Sequence, residues 1–340
     1  MIQDRHTPTI SNVTVERTGK NRVRISWETG MKDLEVSIYV GESPDRIERT
    51  SPAFKAKGKT WADIKGLDRN ARHYFLVAPQ GGNSLITAER RISLEGSVNF
   101  RDIGGYETGD GARLKWGQVF RSDSLARLTA EDQSILKQMG IKVVCDFRTT
   151  AEIEKAPDQL PEEGAIEQLH LPITHGEFNF VTALERIKQG DDSWITDDFM
   201  VRGYIMNIEE FSHTWGAVLK RITEKKSRPF VFHCTGGKDR AGTCAALILL
   251  ALGIPEETVI YDHQLSNVFI ADLWKVIYKR LESYGVDPKK LEPYFTAPLE
   301  CIVALIDHIS STYGSVTHYL KERAGIGEET LALLKKELLV

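Results

Sequence analysis

Cys234 is followed after five residues by an arginine in the run His233-Cys234-Thr235-Gly236-Gly237-Lys238-Asp239-Arg240. A cysteine reacts through its thiolate, which attacks electrophilic centres such as phosphorus. Five intervening residues let the backbone curl around one tetrahedral oxyanion, with its N–H groups turned inward as a nest. Gly236 and Gly237 permit the torsions of such a curl. Thr235 lies inside the curl, and Ala241 follows just past its end. A helix starting at the end of the loop adds amides and a dipole that favour the thiolate and the bound anion. Arg240 can return to the mouth and hold two phosphoryl oxygens with its planar fork. His233 stands where it can order the loop from behind. Lys238 either recognises a second phosphate or adds positive potential at the mouth. The bland alternative is a Gly-containing turn with a structural cysteine. It is disfavoured because Lys, Asp and Arg in a row at the start of a buried helix are costly without an anion to bind.

The flanking elements suit that chemistry. Phe230-Val231-Phe232 reads as a short buried strand after Arg228-Pro229. Ala241 to Leu252 is strongly apolar and reads as a core helix, with Gly253 and Pro255 as its stop. Upstream, Trp116 to Phe120 reads as a strand leading into Arg121-Ser122-Asp123. Thr129 caps a helix running to Met139, and Gly140 ends it. Ile141 to Phe147 is a buried strand with Arg148 at its carboxyl end. Residues 176 to 226 and those from Glu256 onward read as helical. Strands separated by helices predict a mostly parallel α/β sheet, whose ligands bind at the carboxyl ends of strands. Asp146, Arg148 and Cys234 fall at that edge, where Arg148 is a candidate phosphate contact. Arg101 with Asp102, and Arg121 with Asp123, read as a buried ion network that props the loop. Residues 176–208 carry Phe178, Phe180, Trp194, Phe199 and Tyr204. A helical lid is expected there, against a plain packing element.

Residues 8 to 92 follow a different grammar. Val23, Ile25 and Trp27 alternate onto one face, and Glu35 to Val40 and His73 to Val77 behave alike. Thr18-Gly19, Thr29-Gly30 and Gly81-Gly82-Asn83 separate such segments. Short strands with regular turns predict a β-sandwich. The segment resembles a fibronectin type III module, with Gly66-Leu67 and His73-Tyr74-Phe75 in the place of that family's tyrosine corner. The expected domains are therefore 1–94 and 95–340.

The chain has 340 residues, 41% hydrophobic and 27% charged, with a net charge of −4. Length favours two domains, and the charge gives no reason to expect a nucleic-acid partner. No apolar run reaches the roughly 18 residues of a membrane span. The first residues carry no secretory signal, and the protein is expected to be cytoplasmic or exported after processing. Cys145, Cys234, Cys244 and Cys301 all fall within apolar segments, so no disulfide framework is expected. No metal-type spacing appears, and neither metal nor cofactor is expected. The oligomeric state is not legible.

Several runs together carry a wider resemblance. Asn99-Phe100-Arg101-Asp102-Ile103-Gly104-Gly105-Tyr106, Phe120 to Asp123, Asp146-Phe147-Arg148, His233 to Arg240, Leu265-Ser266-Asn267 and Tyr313 to Leu320 occur in one order. Over residues 95 to 340 the chain resembles a bacterial family of tyrosine and dual-specificity phosphatases that also accept phosphoinositides. The resemblance implies Cys234 as nucleophile, Arg240 as phosphate clamp, Asp239 as general acid, Lys238 in phosphoinositide recognition, and Asn99 among the supporting residues. Asp146, at the same sheet edge, is the alternative acid. Substrates implied are phosphotyrosine first, then phosphoserine, phosphothreonine or phosphoinositide. Most Cys-x5-Arg phosphatases carry Ser or Thr directly after the arginine, where its hydroxyl helps the thiolate leave. Ala241 breaks that pattern, and Thr243 or Thr235 is the candidate substitute. It keeps open a pseudophosphatase that binds phosphorylated ligands without turnover. A sulfurtransferase and an arsenate reductase fit less well. A protective Cys234–Cys145 disulfide is a further expectation.

Overall fold

The structure is a computed structural model, and it describes residues 9–162, 166–174, 186, 189, 191, 198–283 and 287–340. The chain forms two compact units, residues 1–92 with 134–140, and residues 93–133 with 141–340. The grouping of 134–140 with the first unit has no signal in the sequence.

In the first unit, β1 (Ser11–Gly19), β2 (Arg22–Glu28) and β5 (Trp61–Lys65) form one antiparallel sheet. A second antiparallel sheet has the order β4 (Phe54–Lys57), β3 (Glu35–Gly41), β6 (Tyr74–Pro79), β7 (Leu85–Ala88). The two-residue period of the sequence explains the core. Val23, Ile25, Trp27 and Ile64 from one sheet join Val36, Ile38, Phe75 and Val77 from the other in one apolar cluster. Tyr74 is buried at the start of β6.

The second unit is built on a five-stranded sheet. Its order is β11 (Glu167–His170), β10 (Val143–Asp146), β12 (Phe230–His233), β9 (Val119–Ser122), β8 (Arg101–Asp102). The first four strands are parallel, and β8 is antiparallel to β9. β9 begins and ends later than the Trp116 to Phe120 pattern implies, so that Arg121 and Ser122 are strand residues. The helices of both units, in chain order, are α1 (Ala130–Gln138), α2 (Thr150–Lys155), α3 (Phe199–Glu210), α4 (Ser212–Thr223), α5 (Arg240–Leu252), α6 (Glu256–Ser283), α7 (Pro288–Phe295), α8 (Leu299–Tyr313), α9 (Val316–Glu322) and α10 (Glu328–Leu338). α5 is apolar on nearly every side because it is buried on nearly every side. Gly253 closes it in the left-handed conformation with φ 88°. Most of the segment expected to form a lid lies outside the described residues. Its last part begins α3, whose Tyr204, Asn207 and Ile208 are buried.

Candidate active site

Strand register brings the site together. Asp146 pairs with His233, and His233 with Ser122, so three parallel strands end level. The next residues, Phe147, Cys234 and Asp123, share the carboxyl edge of the sheet. Cys234 is 2% exposed. From it the chain curls over five residues into α5. Among the described residues, the amides of Thr235, Gly236, Gly237, Lys238 and Asp239 donate to no group of the protein. Gly237 and Lys238 are buried, Thr235 is exposed, and open amides leading into a helix N-terminus suit an external anion. Gly237 makes the bend at φ 67°, and a Cβ there would lie 2.5 Å from the Asp123 amide nitrogen. Gly236 has no positive φ, and a Cβ there would make only ordinary contact with the Lys238 side chain at 3.5 Å, so only one of the two glycines is demanded by the backbone.

Arg240, the first residue of α5, is held by Glu152. Its Nη1 lies 2.8 Å from Oε2 and its Nη2 2.8 Å from Oε1. Nη1 also reaches the Phe147 carbonyl at 3.2 Å. Glu152 Oε1 accepts from the Thr235 hydroxyl at 2.5 Å, and Oε2 from the Thr149 amide at 2.8 Å. Burial works to raise the Glu152 carboxyl. The hydrogen bonds and charge of Arg240, with Thr235 and the Thr149 amide, outweigh it and hold the group at about 2. Burial likewise opposes the Arg240 charge, but Glu152 and Cys234 overcome it and raise Arg240 above its ordinary value. Among the described residues the protein supplies no acceptor for Arg240 Nε, which leaves that edge of the fork for a ligand.

A second layer lies behind the loop. Arg148 is 1% exposed, and all five of its N–H groups are used. Nε meets both Asp146 oxygens, Nη1 meets Ser124 Oγ and the Ala156 carbonyl, and Nη2 meets Asp146 and Asp158. This corrects the expectation of a phosphate contact, because nothing on Arg148 is left to donate. Asp146 is correspondingly committed to Arg148 and lines no part of the cleft. Burial opposes its charge, yet the nearby His233 and the Arg148 hydrogen bonds hold its carboxyl below the ordinary value. His233 is fully buried, with Nε2 3.0 Å from Asp158 Oδ2. Asp146, Asp158 and His233 are close enough to share a cation. The Arg148 guanidinium already bridges both carboxylates and takes that place.

A third group braces the loop from the other side. Asn99 Nδ2 donates to the Gly236 carbonyl at 3.1 Å, and Arg121 Nη2 to the Gly237 carbonyl at 2.8 Å. Asp262 binds Arg121 at 2.6 Å and Arg101 at 3.4 Å. The buried ion network expected around Arg101 and Arg121 therefore exists, but its carboxylate is Asp262. Asp102 accepts from the Gly104 and Gly117 amides, each at 2.8 Å. Asp123 accepts from the Val98 and Asn99 amides. Both carboxylates fix turns, which is why their neighbouring arginines look elsewhere.

Asp239 caps the loop at the cleft. Lys238 Nζ lies 3.0 and 2.8 Å from its two oxygens, and the Tyr204 hydroxyl donates to Oδ1 at 3.0 Å. Lys238 also sits 5.9 Å from the Tyr294 ring centre. Ala241 is fully buried. Thr235 donates its hydroxyl to Glu152, and Thr243 Oγ1 accepts from Asn207 at 3.2 Å. Burial raises the thiols of Cys145 and Cys244, which stay protonated and line no part of the cleft. All four cysteines are free. The cleft itself measures about 670 Å³ and lies wholly within the second unit. Cys234, Lys238, Asp239 and Arg240 form its floor, and Phe199, Met206, Trp274, Tyr294 and Phe295 give it an apolar wall.

Glu152, Asp158, Asp262 and His263 are site residues that the sequence does not single out, and Tyr204 is read there only as part of a lid. Glu152 carried a signal: Thr149-Thr150-Ala151-Glu152 is a capping box, and the structure forms it. The other four reach the site only through long-range packing.

Comparison with known proteins agrees with this geometry. A model of the tyrosine phosphatase family matches residues 92–340. The triple specificity protein phosphatase PtpB of Mycobacterium tuberculosis is 27% identical over 72% of this chain and 98% of its own. A tyrosine-protein phosphatase of Nostoc commune is 25% identical over 64% of this chain and 73% of its own. A candidate tyrosine-protein phosphatase of Cupriavidus necator is 27% identical over 72% of this chain and 89% of its own. The solved structure of P. aeruginosa TpbA with pTyr, at 14% identity, covers 45% of this chain and 71% of that one with a TM-score of 0.28. That score is too low to carry an argument. The family match spans the sheet, the loop and every residue that braces it, and the chain therefore belongs to the tyrosine phosphatase family.

Proposed function

We propose that this enzyme hydrolyses phosphate monoesters through a phosphocysteine on Cys234, with phosphotyrosine as first substrate class. The supporting observation is the run of amides from Thr235 to Asp239, directly after Cys234, that donate to no group of the protein among the described residues. Cys234 attacks phosphorus in line while these amides and Arg240 stabilise the equatorial oxygens. Asp239 protonates the leaving oxygen, and later takes a proton from the water that cleaves the phosphocysteine. Asp239 is favoured over Asp146 because it lines the cleft while Asp146 is tied to Arg148. Lys238 is engaged with Asp239, so a second phosphate of a phosphoinositide would have to compete with that pair. The apolar wall suits the ring of phosphotyrosine. The first unit is a fibronectin type III module, supported by its strand order, and it serves as a spacer. The alternative is a pseudophosphatase, which the buried Ala241 in place of a hydroxyl keeps in play. A panel of nitrophenyl phosphate, phosphopeptides and phosphoinositides tests the proposal. Turnover that C234S abolishes supports it, and ligand binding without turnover establishes the alternative.

A further inference from the structure

Asp239 is the last member of a chain of hydrogen bonds that starts at a backbone amide. The Ala297 N–H donates to Asn267 Oδ1 at 2.7 Å. This fixes which end of the Asn267 amide is which. Its Nδ2 then donates to the Ala297 carbonyl at 2.9 Å and to Gln264 Oε1 at 3.0 Å. Gln264 is oriented in turn, and its Nε2 donates to the Ala297 carbonyl at 3.0 Å and lies 3.2 Å from His263 Nδ1. Nδ1 must therefore be the acceptor of the ring. Burial and the nearby Arg121 hold His263 well below its ordinary value, so the imidazole is neutral and its proton is on Nε2. Nε2 lies 2.7 Å from the Tyr204 hydroxyl, whose oxygen accepts that proton. The hydroxyl hydrogen then goes to Asp239 Oδ1 at 3.0 Å, the nearer of its two acceptors, with the Lys238 carbonyl at 3.5 Å.

We propose that Asn267, Gln264, His263 and Tyr204 form a one-way relay that positions Asp239, keeping Oδ1 an acceptor and assigning the transferable proton to Oδ2. The inference rests on Asp239 being the general acid. In the first step, Oδ2–H gives its proton to the leaving oxygen as the P–O bond breaks and the S–P bond forms. The electron pair of the broken bond stays on that oxygen. In the second step Oδ2 takes the proton of the attacking water. Oδ1 holds its Tyr204 bond throughout, so the carboxyl does not rotate between steps. Lys238 lies 2.8 Å from Oδ2, and its ammonium must give way when that oxygen is protonated. The groups facing the carboxylate are Lys238, Arg240, Tyr204, Tyr294 and Cys301. Of these, Tyr204 is the neutral donor bonded to it.

Two variants of the full chain test the relay. Y204F removes the donor. Q264E puts an acceptor opposite Nδ1, moves the ring proton there, and turns the Tyr204 hydroxyl toward His263. Histidine-selective ¹⁵N NMR should show the Nε2–H form in the wild type and the Nδ1–H form in Q264E. Both variants lose the Tyr204 hydrogen bond to the carboxylate. Both should slow alkyl phosphates about tenfold more than nitrophenyl phosphate, a fraction of the full general-acid effect. A Q264E protein whose His263 keeps its Nε2 proton overturns the relay. So do variants that lose all substrates equally. D239N run alongside separates the two ideas. If D239N itself spares alkyl phosphates, the acid assignment falls; if D239N is selective and Y204F is not, only the relay falls.

Discussion

Glu152 and Arg240 meet end to end, each carboxylate oxygen 2.8 Å from a different terminal nitrogen of the guanidinium. The pair decides which edge of Arg240 is turned to substrate. Glu152 lines the cleft with both carboxylate oxygens bound to Arg240, so its role is to hold the arginine. E152Q should therefore lower kcat/KM for nitrophenyl phosphate by about 10²-fold, the scale of a small misplacement of a positioning group. Steady-state kinetics check this, and an unchanged value would deny the pair its role.

The same carboxylate predicts a pH dependence of stability. Its value falls from 4.5 to about 2 on folding. A group depressed in this way adds stability that is complete above 4.5 and is lost as pH falls toward about 2. Melting curves of the wild type should drop through this window, while E152Q should lack that part of the fall.

The two loop glycines should behave differently. G237A places a Cβ 2.5 Å from the Asp123 amide nitrogen in a left-handed conformation. Loss of activity and a lowered melting temperature are expected. In G236A the nearest atoms are 3.5 Å away, on the Lys238 side chain, and activity should be largely kept. Comparable damage from both would contradict the observed turn.

Asp239 and Asp146 should separate by leaving group. D239N should cost alkyl phosphates about 10²–10⁴-fold while nitrophenyl phosphate loses far less, because only a poor leaving group needs the proton. D146N leaves Arg148 without its main partner and should lower the melting temperature, slowing all substrates alike. A Brønsted plot over leaving groups distinguishes the two patterns.

Ala241 should make the second step slow. No hydroxyl follows the arginine, and that of Thr235 is donated to Glu152. Rapid mixing with nitrophenyl phosphate should give a burst equal to the enzyme concentration. A241S should raise kcat and shrink the burst. A wild-type trace without a burst would show that phosphocysteine breakdown is not limiting.

The sequence by itself determined the parts whose rules are local. Cys234 and Arg240 stand at a fixed spacing, Gly253 closes the helix between them and the next, and alternation along Val23, Ile25 and Trp27 fixes the inner face of a strand. Such signals depend on near neighbours and on a side-chain period, both of which a single stretch of chain contains. Tertiary structure decided the partners. Arg148 and Asp146 sit at the sheet edge as the pattern predicts, but their charges are spent on each other and on Asp158. Arg121 pairs with Asp262, from the distant helix α6, rather than with its neighbour Asp123. Tyr204 from α3 and His263 from α6 meet over Asp239. Buried charges and donors must each find a partner, and which one they find depends on elements that only folding brings within hydrogen-bond distance. The loop was legible in the sequence because its geometry is local; Asn99, Arg101 and Arg121 were legible as braces, but their partners were not, because those come from distant segments of the chain.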